Sequence, residues 1–366
     1  MTTTHATPEG TERYRARFAD RAAKNHFRQQ HELVLSSIGI GTYLGNPDET
    51  TDRNYTNAVV RAVQLGANVI DSAANYRFQR SERSIGDALK TLTNDLGFTR
   101  EELVICTKGG YLPFDGAPPR NVREYIDTTF VKPGIAAFEE FVGMHCMTPA
   151  YLQNQLDQSL RNTGLECVDV YYIHNPESQL GHIPTPEFYD RLRLAFERLE
   201  ENRKEGKVAH YGVATWNGFR VAGESAEHHS LVQMVELANQ VGGDDHGFRF
   251  IQLPFNLAMS EALSLANETL EGQPVSVLEA ATRLGVTAVA SASMLQGRVA
   301  RGLPEEVRRP LGSRASDAQT AVQFVRSTPG ISTALVGMSQ VQHVEEILAL
   351  TEVEPVGHES FSQLFG

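Results

Sequence analysis

Runs of residues typical of buried strands alternate with runs of helical spacing from about residue 33 to residue 351, and this alternation constrains the fold more than any other feature. Strands that alternate with helices favour a parallel sheet. Eight strand–helix units in roughly 320 residues predict an α/β fold, a (β/α)8 TIM barrel in a single domain. The predicted strands lie at residues 33–41, 67–71, 102–108, 168–174, 209–214, 248–255, 286–291 and 332–337. The predicted helices lie at residues 54–66, 83–97, 148–164, 187–206, 219–240, 275–285, 316–330 and 341–351.

An open, doubly wound sheet is the alternative architecture. Such a sheet more often carries a glycine-rich phosphate-binding turn after its first strand. The nearest match, GIGTYLG at residues 39–45, has the wrong spacing for its third glycine and runs into NPDE rather than directly into a helix. We therefore reject a dinucleotide fingerprint at this position and keep the barrel prediction.

One connection, after the third strand, is too long for a simple turn. Loops of about forty residues in compact domains are usually functional or disordered. Residues 111–147 include six aromatic side chains, which predicts that this segment packs on the rest of the chain. The predicted organisation is a polar N-terminal arm at residues 1–26, mobile or partly helical, a barrel at residues 27–352 and a tail at residues 353–366.

Composition limits the classes of partner. The formal net charge of −12 disfavours nucleic acids and anionic membrane surfaces, which bind basic faces. No apolar run approaches the ~20 residues that span a bilayer, and the polar start lacks the apolar core of a secretory signal. Three cysteines without CxxC spacing are typical of reduced thiols in the cytoplasm. His145-Cys146 and residues 244–246 do not make a metal site, so no metal is expected.

Charged or titratable residues stand at the ends of three consecutive predicted strands. Asp71 ends the second, Lys108 the third and His174 the fourth, while Tyr76 lies in the loop after the second. The carboxyl ends of barrel strands face the active site, so we expect these four side chains, here called the quartet, to meet at one mouth of the barrel. Each residue alone has an ordinary structural explanation, but the ordered set favours function.

The quartet has the chemistry of a general acid. A tyrosine hydroxyl has a pKa of about 10, and a nearby ammonium such as that of Lys108 lowers it by favouring the phenolate. Asp71 would keep Lys108 charged, and His174 would hydrogen-bond the substrate oxygen or Tyr76. A proton donor aimed at one oxygen suits carbonyl reduction, provided that another group delivers hydride to the carbon.

Several stretches resemble the aldo-keto reductases, in their bacterial type. They are DSAANY with SERSIGDALK (71–90), CTK ending at Lys108, YYIH ending at His174, YGVA (211–214), IQLPFN (251–256) and VGMS with VQHVEEIL (336–348). The resemblance covers roughly residues 27–350 and implies a (β/α)8 barrel with a nicotinamide cofactor across its mouth. It implies that Tyr76 donates the proton, Lys108 and Asp71 tune it, and His174 orients the carbonyl.

The same resemblance implies the binding residues. For the cofactor they are Gly41, Thr42, Tyr43, Asp71, Thr215, Gln252, Met294, Leu295, Gln296, Gly297, Arg298, Gly337, Met338, Ser339, His343 and Glu346. For the substrate they are Tyr76, Tyr111, His174, Asn175 and Trp216.

The cofactor side departs from the family pattern. The family usually follows its fifth strand with Gly-Val-Ser-Asn, whose Ser and Asn hold the carboxamide, whereas here Gly212-Val213 lead into Ala214-Thr215-Trp216. Gln252 matches the family's carboxamide-binding glutamine. After the seventh strand, residues 291–294 read SASM where the family commonly has Tyr-Ser-Pro-Leu. The stacking tyrosine is therefore absent or replaced from elsewhere, with Trp216 as a candidate.

The choice of dinucleotide depends on cations after the eighth strand, where NADP-preferring members place Lys or Arg near the 2′-phosphate. The aligned residues here are Gly337, Met338, Ser339 and Gln340. His343 stands where a basic residue often occurs, Glu346 matches the adenine-contacting acid, and Arg298 or Arg301 could supply a fixed cation. The family favours NADP(H) and the local chemistry favours NAD(H), so we expect NADP(H) and keep NAD(H) as the alternative.

These inferences predict a cytoplasmic oxidoreductase that transfers hydride between a nicotinamide cofactor and a carbonyl or alcohol substrate. The size of the loop at residues 111–147 suggests a substrate larger than a simple aldehyde, such as a sugar derivative or a secondary metabolite. The alternatives are a cofactor-binding regulatory protein with little activity and a redox-neutral epimerase that retains its cofactor. The expected partner is a small molecule, not a nucleic acid or a membrane, and the oligomeric state is left open.

Overall fold

A closed parallel barrel organises the chain in the computed structural model, which describes residues 4–312 and 314–365. The strands are β1 Phe27–Gln30, β2 Leu33–Ser36, β3 Ile38–Gly41, β4 Val69–Asp71, β5 Val104–Gly109, β6 Val168–His174, β7 Val208–Ala214, β8 Phe248–Pro254, β9 Glu268–Leu270, β10 Gln273–Val275, β11 Thr287–Ser291 and β12 Ile331–Gly337. Within the described residues, eight of these strands close in the order β11-β12-β3-β4-β5-β6-β7-β8. The (β/α)8 prediction is therefore confirmed.

Helices connect the barrel strands on the outside. They are α1 Pro8–Ala16, α2 Glu49–Gln64, α3 Arg80–Asn94, α4 Val122–Ile126, α5 Pro149–Thr163, α6 Thr185–Lys204, α7 Leu231–Gly242, α8 Glu261–Ser264, α9 Val277–Arg283, α10 Glu305–Arg308, α11 Asp317–Ser327, α12 Val341–Leu348 and α13 His358–Ser362. Several begin where the sequence supplies a capping oxygen: Asp48, Ser230, Ser276 and Ser316 each accept a hydrogen bond from a backbone N–H in the first helical turn.

The strand register brings the ends of β4, β5 and β6 to one mouth of the barrel. Asp71 pairs with Cys106, and Lys108 lies two residues further along β5, so both side chains face the same side of the sheet. Lys108 pairs in turn with Tyr172, two residues before His174. These inward positions continue a buried cluster inside the barrel that includes Cys106 and Tyr172.

The predicted strand at residues 33–41 is wrong as a single element, because it is two strands. β2 pairs antiparallel with β1, and only β3 joins the barrel. The side chain of Asn68, the residue before β4, binds the end of β2: its Oδ1 accepts from the backbone N–H of Ser36 at 2.8 Å. Leu33 and Leu35 belong to the interior cluster, so the β1–β2 hairpin covers the end of the barrel opposite the quartet. The sequence prediction missed this break, although the adjacent Ser36 and Ser37 stand there.

The predicted helix at residues 219–240 begins only at Leu231. Ser230 caps it, and the carboxylate of Glu268 accepts from the Leu231 N–H at 2.7 Å. The preceding residues, 215–230, form an irregular loop after β7. The prediction was wrong before Ser230 because the apolar residues there have helical spacing but lie in a loop.

The predicted N-terminal arm contains α1. Tyr14 and Phe18 are buried in the main core, and the Tyr14 hydroxyl donates to the Val63 carbonyl at 2.6 Å. Residues 1–3 of the predicted arm and residue 366 of the predicted tail lie outside the described residues. Among the described residues, no helix is long and apolar enough to cross a membrane.

The long connection after β5 packs its apolar side chains together and against α5. It contains α4, a π-helical turn at Asp127–Val131 and a 3-10 turn at Phe138–Glu140. Its apolar side chains form a separate cluster that also includes Tyr151 of α5. The buried members of this cluster are Leu112, Ile126, Phe130, Ala136, Cys146 and Tyr151.

Candidate active site

A buried ion pair lies at the centre of the mouth. The Lys108 ammonium donates to Asp71 Oδ2 and to the Ser72 carbonyl, each at 2.6 Å. The other carboxylate oxygen of Asp71, Oδ1, accepts from Gln252 Nε2 at 2.8 Å. Lys108, Asp71 and Gln252 are each 4% exposed or less, so these contacts are shielded from water.

The environment keeps Lys108 charged. Burial lowers the pKa of Lys108, but Asp71 and Tyr76 together raise it above its ordinary value. For Asp71, burial raises the pKa, while Lys108 and Gln252 oppose this shift. Because the ammonium and the carboxylate touch and both have further hydrogen bonds, we treat the pair as ionised at neutral pH.

Tyr76 lies over the lysine. The Lys108 ammonium is 4.9 Å from the centroid of the Tyr76 ring. The rings of His174 and Tyr43 lie 5.7 Å and 4.9 Å from the Tyr76 ring. The structure thus brings the whole quartet together, as the barrel register predicts.

The expected acidity of Tyr76 is not found. Burial raises its pKa above 10, although Lys108 acts to lower it. The expectation of a lowered pKa considered the ammonium alone, whereas removing a phenolate from water is the larger effect here. Tyr76 is therefore a protonated hydroxyl at neutral pH, which is the form that a proton donor needs.

The backbone directly after Tyr76 is unusual. Arg77, Phe78 and Gln79 have φ values of 47°, 58° and 70°, the left-handed region that residues other than glycine rarely adopt. The Arg77 guanidinium is buried, pairs with Asp52 and donates to Ser81 Oγ at 3.2 Å. These contacts hold the strained turn and with it the position of Tyr76. Sequence reasoning missed this turn because it contains no glycine.

His174 is held in its neutral form. Burial, together with the charges of Lys108 and His145, lowers its pKa well below 6.5. Its Nδ1 is buried and has no hydrogen-bond partner among the described residues. His145, which the sequence reasoning set aside, donates from Nε2 to the His174 carbonyl at 2.8 Å and accepts at Nδ1 from Gln179 at 3.1 Å. These two bonds hold the strand end that carries the His174 imidazole.

The residues expected to bind substrate line the same mouth. The Tyr111 ring lies 5.2 Å from that of His174, and its hydroxyl contacts Ser178 Oγ at 2.7 Å. Asn175 Nδ2 donates to the Tyr111 hydroxyl at 3.4 Å. Trp216 stands on the neighbouring loop after β7 and is 43% exposed. The rings of Tyr111 and His174 make an aromatic wall beside Tyr76.

The loop after β7 offers a polar group that fits a carboxamide. Thr215 Oγ1 is buried and has no hydrogen-bond partner among the described residues. The Thr215 N–H donates to the backbone carbonyl of Gln252 at 2.8 Å, so the hydroxyl lies beside the residue that matches the family glutamine. A buried hydroxyl without a partner is unusual in a folded protein, and a ligand amide would satisfy it.

The cofactor residues expected at the end of β3 and just after it lie in different environments. Thr42 is fully buried, and its hydroxyl donates to the Asp71 carbonyl at 3.1 Å, so its side chain supports the quartet. Tyr43 is 56% exposed and packs edge-on against Tyr76. Gly41 pairs with Asp71 in the sheet, and its backbone faces the mouth.

The loop after β11 has strained backbone where cofactor contacts are expected. Ala292, Leu295 and Gln296 have positive φ, as does Gly297. Met294 packs partly against the main core. Such clusters of left-handed residues occur at ligand-binding loops, because the surrounding structure must hold them.

The residues expected near the adenosine lie after β12. Gly337 is exposed, Ser339 is half-buried and Met338 is fully buried, so Met338 can offer only its backbone. His343 is exposed on α12, whereas Glu346 accepts from Ser316 Oγ at 2.6 Å and is thus already engaged.

Two arginines near this region are free. Arg298 and Arg301 are exposed, and within the described part of the chain neither guanidinium makes a hydrogen bond or an ion pair. Either side chain is therefore available to an anionic ligand.

A cavity of about 580 Å³ opens at the other end of the barrel, beside the β1–β2 turn. Its lining includes His31, Glu200, Arg203 and His210, and none of the predicted site residues. The chemistry described above lies at the carboxyl ends of the strands, where barrel active sites are built. We therefore place the candidate site there, and not in this cavity.

The sequence model of the Aldo/keto reductase family matches residues 37–241, a span that includes the whole quartet. The chain belongs to the aldo/keto reductase family. Members of this family are NAD(P)H-dependent oxidoreductases that act on carbonyl compounds.

Individual aldo/keto reductase relatives agree with this assignment. The chain is 26% identical over 337 residues to a putative voltage-gated potassium channel subunit beta of Schizosaccharomyces pombe, covering 87% of this chain and 86% of the relative. It is 27% identical over 188 residues to an NADH-specific methylglyoxal reductase of Escherichia coli, covering 50% of this chain and 49% of the relative.

Solved aldo/keto reductase structures share the fold. The glycerol dehydrogenase of Gluconobacter oxydans superposes with a TM-score of 0.64 at 17% identity, covering 94% of this chain and 95% of that chain. A Klebsiella pneumoniae aldo/keto reductase in complex with NADP and acetate gives a TM-score of 0.61 at 18% identity, covering 93% and 94%. At these identities the likeness shows the barrel fold alone.

Proposed function

We propose that the chain is an NAD(P)H-dependent carbonyl reductase, or alcohol dehydrogenase in the reverse direction, in which Tyr76 is the general acid. The buried ammonium of Lys108 carries the proposal, since it is paired with Asp71 at 2.6 Å and lies 4.9 Å from the Tyr76 ring centroid. Burying an ion pair beneath a phenol costs desolvation free energy. The buried ammonium stabilises the phenolate that forms when the phenol gives up its proton.

The proposed proton transfer uses each member of the quartet. The Tyr76 hydroxyl donates its proton to the carbonyl oxygen, and the Lys108 ammonium stabilises the phenolate that remains. Asp71 holds the ammonium in place, and the neutral His174 imidazole hydrogen-bonds the carbonyl oxygen. The nicotinamide cofactor, when bound, supplies the hydride to the carbonyl carbon. Tyr76 regains a proton from solvent afterwards.

The residues after β7 and β8 support a nicotinamide site. Thr215 Oγ1 and the Gln252 amide would hold the carboxamide, and the further cofactor contacts expected from the sequence remain part of the proposal. We propose NADP(H) as the dinucleotide, because Arg298 and Arg301 are exposed and unpaired in the described part of the chain and could pair with a 2′-phosphate. The match to an NADH-specific relative keeps NAD(H) as the alternative.

The proposed substrate is a small carbonyl compound or alcohol larger than a simple aldehyde. The aromatic side chains of Tyr111 and Trp216 and the folded loop at residues 111–147 would enclose it. The buried, unpaired thiols of Cys106, Cys146 and Cys167 support a reducing compartment and hence a cytoplasmic location.

A second candidate is a cofactor-binding regulatory subunit with little turnover. The match over 86% of a putative potassium channel subunit beta favours it. The two candidates differ in whether bound dinucleotide is oxidised.

The test is to titrate the protein with NADH and NADPH and then assay a panel of carbonyl compounds, using wild type and Tyr76→Phe. We expect Tyr76→Phe to bind dinucleotide as wild type does and to lose about 100-fold or more of kcat. Tyr14→Phe is the matched control, since Tyr14 is also buried but its hydroxyl donates to the Val63 carbonyl, away from the site. Retained turnover in Tyr76→Phe would contradict the assigned role, and binding without turnover in wild type would favour the second candidate.

A further inference from the structure

One carboxylate oxygen collects three consecutive backbone N–H groups at the mouth of the barrel. Glu177 Oε1 accepts from the N–H groups of Trp216, Asn217 and Gly218 at 2.5, 3.0 and 3.5 Å. Glu177 is only 6% exposed. Converging backbone N–H groups form a concave anion-binding surface, and a charged acceptor strengthens each bond. Here the protein fills that surface with its own side chain.

The same loop is fixed on both sides of the Glu177 contact. On one side the Thr215 N–H donates to the Gln252 carbonyl at 2.8 Å. On the other side Gly218 packs closely against His229. A Cβ added to Gly218 would lie only 2.1 Å from the imidazole Cε1, so no larger residue fits there. The Thr215 hydroxyl has no hydrogen-bond partner among the described residues, and Trp216 is 43% exposed, so both side chains remain available to a ligand.

Glu177 joins two parts of the candidate site. It lies in the 3-10 turn Pro176–Gln179, three residues after His174. The loop that it binds follows β7 and carries the buried, unpartnered hydroxyl of Thr215. The carboxylate therefore ties the loop after the substrate-orienting histidine to the loop proposed for the carboxamide. Neither the quartet nor the expected cofactor residues include it.

We propose that Glu177 is a positioning residue for the dinucleotide: its carboxylate fixes residues 215–218 so that the Thr215 hydroxyl meets the carboxamide and the Trp216 indole lies against the nicotinamide ring. This inference rests on the proposed function, and it assigns the ring contact that the sequence after β11 does not supply. Glu177 touches neither substrate nor cofactor. Its loss acts on dinucleotide binding more than on the proton transfer by Tyr76.

An amide cannot fully replace this carboxylate. Glutamine at residue 177 keeps one acceptor oxygen but loses the charge that strengthens the three bonds. It would also turn an N–H2 group towards the place of Oε2, which is buried and has no partner among the described residues. Glu177→Gln should therefore have an intermediate effect, and Glu177→Ala the full effect.

The only tryptophan of the chain gives a direct readout, because Trp216 is itself on the loop. We would measure acrylamide quenching of tryptophan emission and the Kd for NADPH and NADH in wild type, Glu177→Gln and Glu177→Ala. Loss of a charge-assisted cap is expected to raise the dinucleotide Kd about tenfold in Glu177→Ala, with stronger quenching of Trp216. At saturating dinucleotide, kcat should change much less than the Kd. Glu177→Gln should lie between wild type and Glu177→Ala in both measurements.

Glu200 provides the matched control. It is 5% exposed, and its Oε1 accepts from the Gly247 N–H at 2.6 Å, at the opposite end of the barrel. Glu200→Ala should lower the melting temperature as Glu177→Ala does, yet leave the dinucleotide Kd and the quenching of Trp216 unchanged. A merely structural role for Glu177 predicts the same result for both variants.

The proposal is overturned if folded Glu177→Ala or Glu177→Gln keeps the wild-type Kd and quenching, or if Glu200→Ala changes both equally. Should Glu177→Ala fail to fold, Glu177→Gln decides by the same two measurements. Wild-type protein that binds neither dinucleotide would overturn the proposed function and the assigned ring contact, and the quenching comparison would then still decide whether Glu177 fixes the loop.

Discussion

Gln252 donates a hydrogen bond from Nε2 to Asp71 Oδ1 over 2.8 Å. Asp71 uses its other oxygen for Lys108, so the residue proposed to hold the carboxamide also completes the contacts of the Asp71 carboxylate. The proposed carboxamide site and the proposed proton donor are therefore joined through the Gln252 side chain. Occupation of the carboxamide site would be felt at Lys108 through a single intervening carboxylate.

Replacing Gln252 should impair both functions. Gln252→Leu removes an amide that is 4% exposed and leaves Asp71 Oδ1 unpaired, so we expect a higher dinucleotide Kd and a kcat lowered about tenfold. Gln323→Leu is the control, because Gln323 is also buried and donates to the Glu354 carbonyl, away from the site. Steady-state kinetics with both substrates varied would measure the effect. A rise in Kd with unchanged kcat would separate the two roles.

The pH dependence should differ between the two directions. Burial keeps the pKa of Tyr76 above 10 and that of His174 well below 6.5, so both stay in their neutral forms between these values. We expect kcat/KM for carbonyl reduction to be flat between pH 6.5 and pH 10. Alcohol oxidation needs the phenolate and should rise with pH over the same range. A change of kcat/KM for carbonyl reduction near neutral pH would contradict the claim that Tyr76 and His174 both stay neutral there.

His229 should make the fold sensitive to acid. Burial, with a smaller contribution from His228, lowers the pKa of His229 to about 3, and neither ring nitrogen has a hydrogen-bond partner among the described residues. The unfolded chain takes up this proton near pH 6.5, so the stabilisation is present above pH 6.5 and is lost as the pH falls towards 3.

Urea unfolding at several pH values would measure this loss. One proton contributes a slope of up to about 1.4 kcal/mol per pH unit in the free energy of unfolding. His229→Leu should reduce the slope by about that amount, whereas His358→Leu, at an exposed position in α13, should not. Equal slopes in wild type and His229→Leu would show that the imidazole is not kept neutral.

Arg77 should matter for turnover as well as for stability. Its guanidinium pairs with Asp52 and lies 4.9 Å from the Tyr55 ring centroid, and its own φ is 47°. Arg77→Ala removes these anchors but keeps the strained backbone, so we expect a lower melting temperature and a kcat reduced about tenfold through displacement of Tyr76. Arg80→Ala, which removes the other arginine on Asp52 from a regular helix, should lower the melting temperature with little effect on kcat.

The elements that the sequence predicts well are those whose burial is uniform. The sequence predicts β6 at residues 168–174, and the strand has these bounds, because a strand buried on both faces is mostly apolar. The same property hid the break between β2 and β3, since Ser36 and Asn68 end the strand through a contact between distant residues.

The proximity of Asp71, Lys108 and His174 follows from the parallel register, which any barrel of this order imposes, and their catalytic roles stay predictions. The contacts of Glu177 and His145 could not be foreseen, because each depends on the course of an irregular loop. The pKa of Tyr76 needed the degree of burial, which a pattern of residues does not contain.

The segment at residues 111–147 is fastened to the turn that follows Tyr76: Gln79 Nε2 donates to the Pro113 carbonyl at 3.0 Å, and the Gly116 N–H donates to the Phe78 carbonyl at 3.0 Å. Grafting this segment onto another barrel, or shortening it to admit bulkier compounds, would also remove contacts that hold the turn after Tyr76, the proposed acid. Substrate selectivity and turnover rate would then change together. The segment at residues 111–147 and the turn at residues 77–79 should therefore be transplanted together.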